Sequence, residues 1–89
     1  MTPAPPPTAT VRVLLFASYA DWVGRDTLDL SLAVPATVAD VIRHLRTAIP
    51  AASRIPERPL AAVNAIHAGL ETLIQDGDEV ALLPPLAGG

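Results

Sequence analysis

The 89-residue chain carries one long amphipathic helix pattern and two strand patterns that are apolar on both faces, and this imbalance limits the folds open to it. Residues 11–17 (Val-Arg-Val-Leu-Leu-Phe-Ala) and 79–83 (Glu-Val-Ala-Leu-Leu) are of strand length. The first is apolar at both parities except at Arg12, and the second from Val80 onward. Successive side chains of a strand point to opposite faces, so runs of this kind predict central strands covered on both sides. The helix pattern is Val38, Val41, Ile42, Leu45 and Ile49, with Asp40, Arg43, His44 and Thr47 on the remaining surface. Thr37 followed three residues later by Asp40 is a variant capping box that opens it, and Pro50 stops it. One helix can cover only one side of a sheet. If the first and last strands are central neighbours, Val11, Val13, Leu15, Val80 and Leu82 face the helix. Leu14, Phe16, Ala81 and Leu83 then face away, as an apolar surface that needs a partner or a covering loop.

The rest of the chain fits around this core. Ser18 is placed to cap a short helix bearing Tyr19, Trp22 and Val23 on one side, and Gly24 to end it. In residues 27–34, Leu28, Leu30, Leu32 and Val34 alternate with Asp29, Ser31 and Ala33, which predicts a strand buried on one face. After a loop containing Pro56 and Pro59, short strands are expected over 60–64 and around 66–68, with Leu70, Leu73 and Ile74 as apolar cover. Asp76-Gly77-Asp78 is a turn sequence in which glycine accepts a positive φ, and the two aspartates are turn formers, not a metal pair. Residues 1–9, with prolines at 3, 5, 6 and 7, have nothing to pack and are expected to be a disordered tail. The order of elements argues for an α+β domain over residues 10–83, a small mixed sheet packed on one main helix.

Composition removes several function classes. There is no cysteine, so disulfides, thiolate chemistry and cysteine-containing zinc sites are excluded, and the chain suits a reducing cytoplasm. His44 and His67 stand far apart with no ligand cluster around them, so no metal site is expected. Net charge is −3 and the arginines are scattered, unlike the basic stripe of a nucleic-acid binder. No apolar run is long enough to span a bilayer, and the first nine residues do not read as a signal peptide. No Ser-His-Asp set, phosphate-cradling glycine loop or paired-carboxylate site is present. All six basic residues are arginine, so copies of the chain cannot be joined through side-chain isopeptide bonds.

Residues 84–89, Pro-Pro-Leu-Ala-Gly-Gly, are the chemical feature that remains. Pro84 and Pro85 hold the segment extended and self-unpaired, and it is expected to be flexible in the free protein. With no Cβ, Gly88 and Gly89 can lie in a channel too narrow for any side chain. The terminal carboxylate of Gly89 is therefore the candidate functional group.

Val-Leu-Leu-Phe-Ala at 13–17 followed by a one-turn helix and Gly24, Leu-Ala-Ala-Val-Asn at 60–64, Asp-Gly-Asp-Glu-Val at 76–80 and Leu-Pro-Pro-Leu-Ala-Gly-Gly at 83–89 occur in one order and at consistent spacings. In these the chain from about Val11 to Gly89 resembles the sulfur-carrying small subunits of molybdopterin synthase, the MoaD-type branch of the β-grasp, ubiquitin-like sulfur carriers. The proline-rich start departs from the compact start usual for that family. The resemblance implies a β-grasp fold and a carrier that acts as cosubstrate and supplies no general acid or base of its own. It implies that an ATP-dependent adenylating enzyme converts the Gly89 carboxylate to an acyl-adenylate, and that a sulfurtransferase supplies the sulfur of the resulting thiocarboxylate. The sulfur then passes to cyclic pyranopterin monophosphate within a heterotetramer with the synthase large subunit. Gly88, Ala87, Leu86, Pro85, Pro84, Leu83 and Phe16 would contact that partner, with His67 at the rim. No cofactor is expected to be bound. Sulfur carriers for thiamin, cysteine synthesis or RNA thiolation would share the same end and core, and a binding module whose tail is never activated is a reading from another class.

Overall fold

The structure, a computed structural model, describes residue 4 and residues 6–85. Five strands form one mixed sheet: β1 (Thr8–Leu15), β2 (Thr27–Ala33), β3 (Leu60–Val63), β4 (Ile66–Ala68) and β5 (Glu79–Leu83). Their spatial order is β2-β1-β5-β3-β4, with β1 and β5 parallel at the centre and the other pairs antiparallel. Helix α1 (Ser18–Val23) follows β1, and α2 (Val38–Ala48) is the main helix. This is the expected α+β architecture of one helix laid on a mixed sheet.

Side-chain alternation places the core. Val11, Val13, Leu15, Val80 and Leu82 are all buried, together with Leu28, Leu30 and Leu32 of β2 and Val38, Val41, Ile42 and Leu45 of α2. The capping box forms as the sequence requires: Thr37 Oγ1 accepts from the Asp40 N–H at 3.2 Å, and an Asp40 carboxylate oxygen accepts from the Thr37 N–H at 2.9 Å. That backbone N–H, then the Arg43 guanidinium at 2.8 Å, holds the Asp40 carboxyl below its ordinary pKa.

Several local expectations change. β1 begins at Thr8, inside the segment expected to pack nothing, and Ala9 is buried opposite Leu32. The far end of β2 needs a backbone partner, and that requirement outweighs the weak composition of residues 8 and 9. At its other end β1 stops at Leu15, so Phe16 and Ala17 lie outside the strand. Ala17, at φ 50°, is the N-cap of α1 without a side-chain cap, and Ser18 is already the first helical residue. Gly24 ends α1 as expected, at φ 83° with its N–H on the Ala20 carbonyl. Beyond Pro50 the chain does not run directly into a loop but makes a 3₁₀ turn, Pro50–Arg54, which carries Ala52 and then Ile55 into the core. The Arg54 guanidinium caps the Trp22 ring at 4.4 Å, fastening this turn to α1. Leu73, expected as apolar cover, is exposed in an isolated bridge with Thr37, whereas Ile74 is buried.

Asp76 and Asp78 are turn formers in the geometry. Asp76 Oδ1 accepts from the Thr10 N–H, and Asp78 accepts from the Gln75 N–H and the Asn64 side chain. The β3–β4 hairpin turns through Asn64 and Ala65, both at positive φ (50° and 70°). Two-residue hairpins favour this twist, but alanine pays a steric penalty there that glycine avoids. Ala65→Gly is therefore expected to stabilise the domain by about 1 kcal/mol, measured by urea denaturation. A destabilised variant would show that the turn is not held in this conformation.

Candidate functional site

The outer face of the sheet, opposite α2, is the surface from which the C-terminal segment departs. Strand register defines it: Leu14 lies beside Ala81, Ala81 beside Ala62, and Ala62 beside His67. One step along, Leu83 lies beside Leu60. Phe16 follows Leu15, which pairs with Leu82, so Phe16 leaves β1 at the end of the sheet where Leu83 ends β5. Because α2 occupies the other side, no element of the fold covers this side among the described residues. Phe16 is 44 % exposed and Leu60 49 %, while Leu14, Ala81 and Leu83 are half-buried.

The face is polarised. Its far end carries Arg12, Asp29 and Glu79, with Arg12 and Asp29 in an exposed ion pair at 3.5 Å, and the Thr10 and Ser31 hydroxyls in contact at 2.9 Å. Its near end, around Phe16, Leu60 and Leu83, is apolar, and β5 runs towards it. The chain thus leaves the sheet through half-buried Pro84 and exposed Pro85 at the apolar end.

The structure brings Leu83 and Pro84 to one end of one face, with Phe16 exposed just past the neighbouring end of β1 and His67 exposed on β4 of the same face but at the sheet's edge. The other proposed contact residues, Leu86, Ala87, Gly88 and the carrier position Gly89, lie outside the described residues. Leu60 was not singled out from the sequence, although it has the second-largest exposure of a large apolar side chain in the sheet strands, after Ile66. The available signal was the parity of its strand: with Ala61 inward, Leu60 must point outward. Chemically, this face can bury apolar surface against another protein. Its Leu, Phe and Ala side chains offer no nucleophile and no acid or base.

Sequence comparison supplies the lineage. The ThiS family matches residues 13–89. The chain belongs to that family. It is 33 % identical over 81 residues to the molybdopterin synthase sulfur carrier subunit of Dictyostelium discoideum, a match covering 88 % of this chain and 94 % of the relative. Among solved structures, the crystal structure of small archaeal modifier protein 1 from H. volcanii superposes with a TM-score of 0.79 at 31 % identity, covering 88 % of this chain and 99 % of that one. One chain of the Amycolatopsis orientalis BexX/CysO complex superposes with a TM-score of 0.64 at 25 % identity, covering 89 % and 99 %. The expected ubiquitin-like β-grasp is thus the fold of this ThiS-family chain, and a similar chain has been solved within a two-protein complex.

Proposed function

We propose that this protein is the sulfur carrier subunit of a molybdopterin synthase. The observation that carries the proposal is the uncovered apolar end of the outer face, from which Pro84 and Pro85 lead toward Gly89, in a chain similar to a molybdopterin synthase sulfur carrier subunit. In this reading the Gly89 carboxylate attacks ATP on an adenylating enzyme, releasing pyrophosphate. Sulfide-level sulfur, released from the sulfurtransferase's persulfide by a thiol reductant that is oxidised to a disulfide, then displaces AMP to leave a thiocarboxylate. A carboxylate is a poor acyl donor until its oxygen becomes a good leaving group, and a thiocarboxylate is a soft nucleophile that requires no side chain. Phe16, Leu60 and Leu83 seat the domain on the large subunit, Leu86 to Gly89 enter its active site, and sulfur passes to cyclic pyranopterin monophosphate in the cytoplasm.

The direct test is the intact mass of the protein co-expressed with its adenylating enzyme and sulfur source. A fraction should gain the difference between sulfur and oxygen, and that fraction should convert cyclic pyranopterin monophosphate when mixed with the large subunit. Resemblance to a modifier protein favours a second reading, attachment of the activated carboxylate to an amine on another protein. Conjugates of higher mass, with no pterin conversion, would select it.

The docking surface has its own test. A large apolar side chain contributes about 1.5 to 3 kcal/mol when fully buried, so Phe16→Ala, Leu60→Ala and Leu83→Ala should each weaken large-subunit binding by roughly one to two orders of magnitude. Because these side chains are exposed or only half-buried in the monomer, thermal stability should change much less. Parallel losses of stability and affinity would assign them to the monomer's own core.

A further inference from the structure

A second concavity lies against α2, and none of its lining residues belongs to the outer face of the sheet. It has a volume of about 260 Å³ and is lined by Ala39, Ile42 and Leu70 and by Arg43, Arg46, Arg58 and Glu57. Half of the chain's six basic residues therefore converge on one groove of a protein whose net charge is −3. The arginines are unequally engaged. Arg43 is paired with Asp40 at 2.8 Å, and Arg58 is exposed with no ion-pair partner among the described residues. Arg46 is the most enclosed of the ion-paired arginines, yet its Nη1 and Nη2 make only long contacts, 3.4 Å to Glu57 Oε1 and 3.3 Å to the Ser53 carbonyl. Its Nε–H is buried without an acceptor. A guanidinium has five donors suited to carboxylates, and this one is poorly satisfied by its own chain. Glu57 already marks where a carboxylate meets it.

We propose that this groove docks an acidic segment of a partner protein, seating one apolar side chain against the half-buried Ala39 and Leu70 and its flanking carboxylates on Arg43, Arg46 and Arg58. The apolar floor favours a peptide over a bare inorganic anion, which would gain nothing from Ala39 and Leu70. The cationic rim selects acidic over neutral sequences, mostly through the association rate and with marked salt sensitivity. Glu57 acts as an internal competitor for Arg46, so the partner's carboxylate displaces a weak, exposed contact.

The probe is a short capped peptide with one leucine flanked by glutamates, titrated into the full chain and followed by backbone NMR, with a glutamine counterpart as control. Shifts confined to Ala39, Ile42, Arg43, Arg46, Glu57, Arg58 and Leu70, and absent with the glutamine peptide, are expected. Arg58→Glu should weaken binding by roughly tenfold. Arg25→Glu, the same charge change at an exposed arginine elsewhere, should have a much smaller effect, and Glu57→Gln should tighten binding by freeing Arg46. Equal losses from Arg25→Glu and Arg58→Glu would overturn the proposal, because attraction would then follow net charge. So would shifts on the outer sheet face, an absence of shifts at millimolar peptide, or equal shifts with inorganic phosphate alone. Since the groove and the outer face share no residue, failure here leaves the carrier reading standing, and failure of sulfur transfer leaves this proposal standing.

Discussion

Extending the chain by one residue beyond Gly89 is expected to reduce sulfur transfer to background while leaving thermal stability unchanged. Deleting Gly89 should do the same, because under the proposed function either change moves the carboxylate from the position at which the adenylating enzyme and the large subunit would both meet it. Gly88→Val should be nearly as damaging, since a β-branched side chain would block a narrow channel and restrict the backbone. The measurements are intact mass after co-expression with the adenylating enzyme, and pterin conversion with purified large subunit. Full conversion by the extended protein, with mass spectrometry showing the added residue still in place, would exclude a terminal-carboxylate mechanism. A folded, unconverted variant would locate the chemistry beyond Leu83 and separate it from the docking face.

The second large effect concerns stability. Ile55→Ala should cost about 2 to 5 kcal/mol, because Ile55 is fully buried and its truncation leaves a cavity beside rigid neighbours. For a domain of this size that corresponds to a melting temperature lower by about 10 °C or more. Against a total stability of about 5 to 15 kcal/mol, such a loss is a large fraction of what holds the domain folded. Ile66→Ala is the matched control: the side chain is 73 % exposed and the change should stay within about 0.5 kcal/mol. Similar melting points for the two variants would mean that the turn at Pro50–Arg54 does not carry Ile55 inward.

Ile55 also shows what the sequence conceals. Its neighbours Ser53, Arg54, Pro56 and Glu57 have no periodicity, and burial here follows from the path of a short turn beneath α1 and α2, which no local pattern encodes. The elements readable in advance were those with sustained period: Leu28, Leu30 and Leu32 alternating in β2, and the stripe of α2 with its Thr37–Asp40 cap. Central strands apolar at both parities gave the outer face, and with it Phe16 and Leu83. They did not give Leu60, whose place there depends on pairing with β5, or the extra length of β1, which depends on pairing with β2. The Gly88–Gly89 end was legible only as chemistry. Such a segment has no packing pattern from which a position could be read, and the described residues stop at Pro85.

The parallel pairing of β1 with β5 has a consequence for synthesis. A growing chain that has emerged through β4 can close the β1–β2 and β3–β4 hairpins, but the two halves of the sheet have no seam until β5 arrives and lies between β1 and β3. Contacts this distant in sequence are slow to nucleate, and a hairpin alone is marginal in water. Completion of the sheet therefore waits for its last strand, whatever the order in which the other elements form. The outer face, which β5 shares with β1 and β3, is complete only after that event. A chain interrupted before β5 lacks the seam that joins the two halves of the sheet, and with it the continuous outer face that the seam creates.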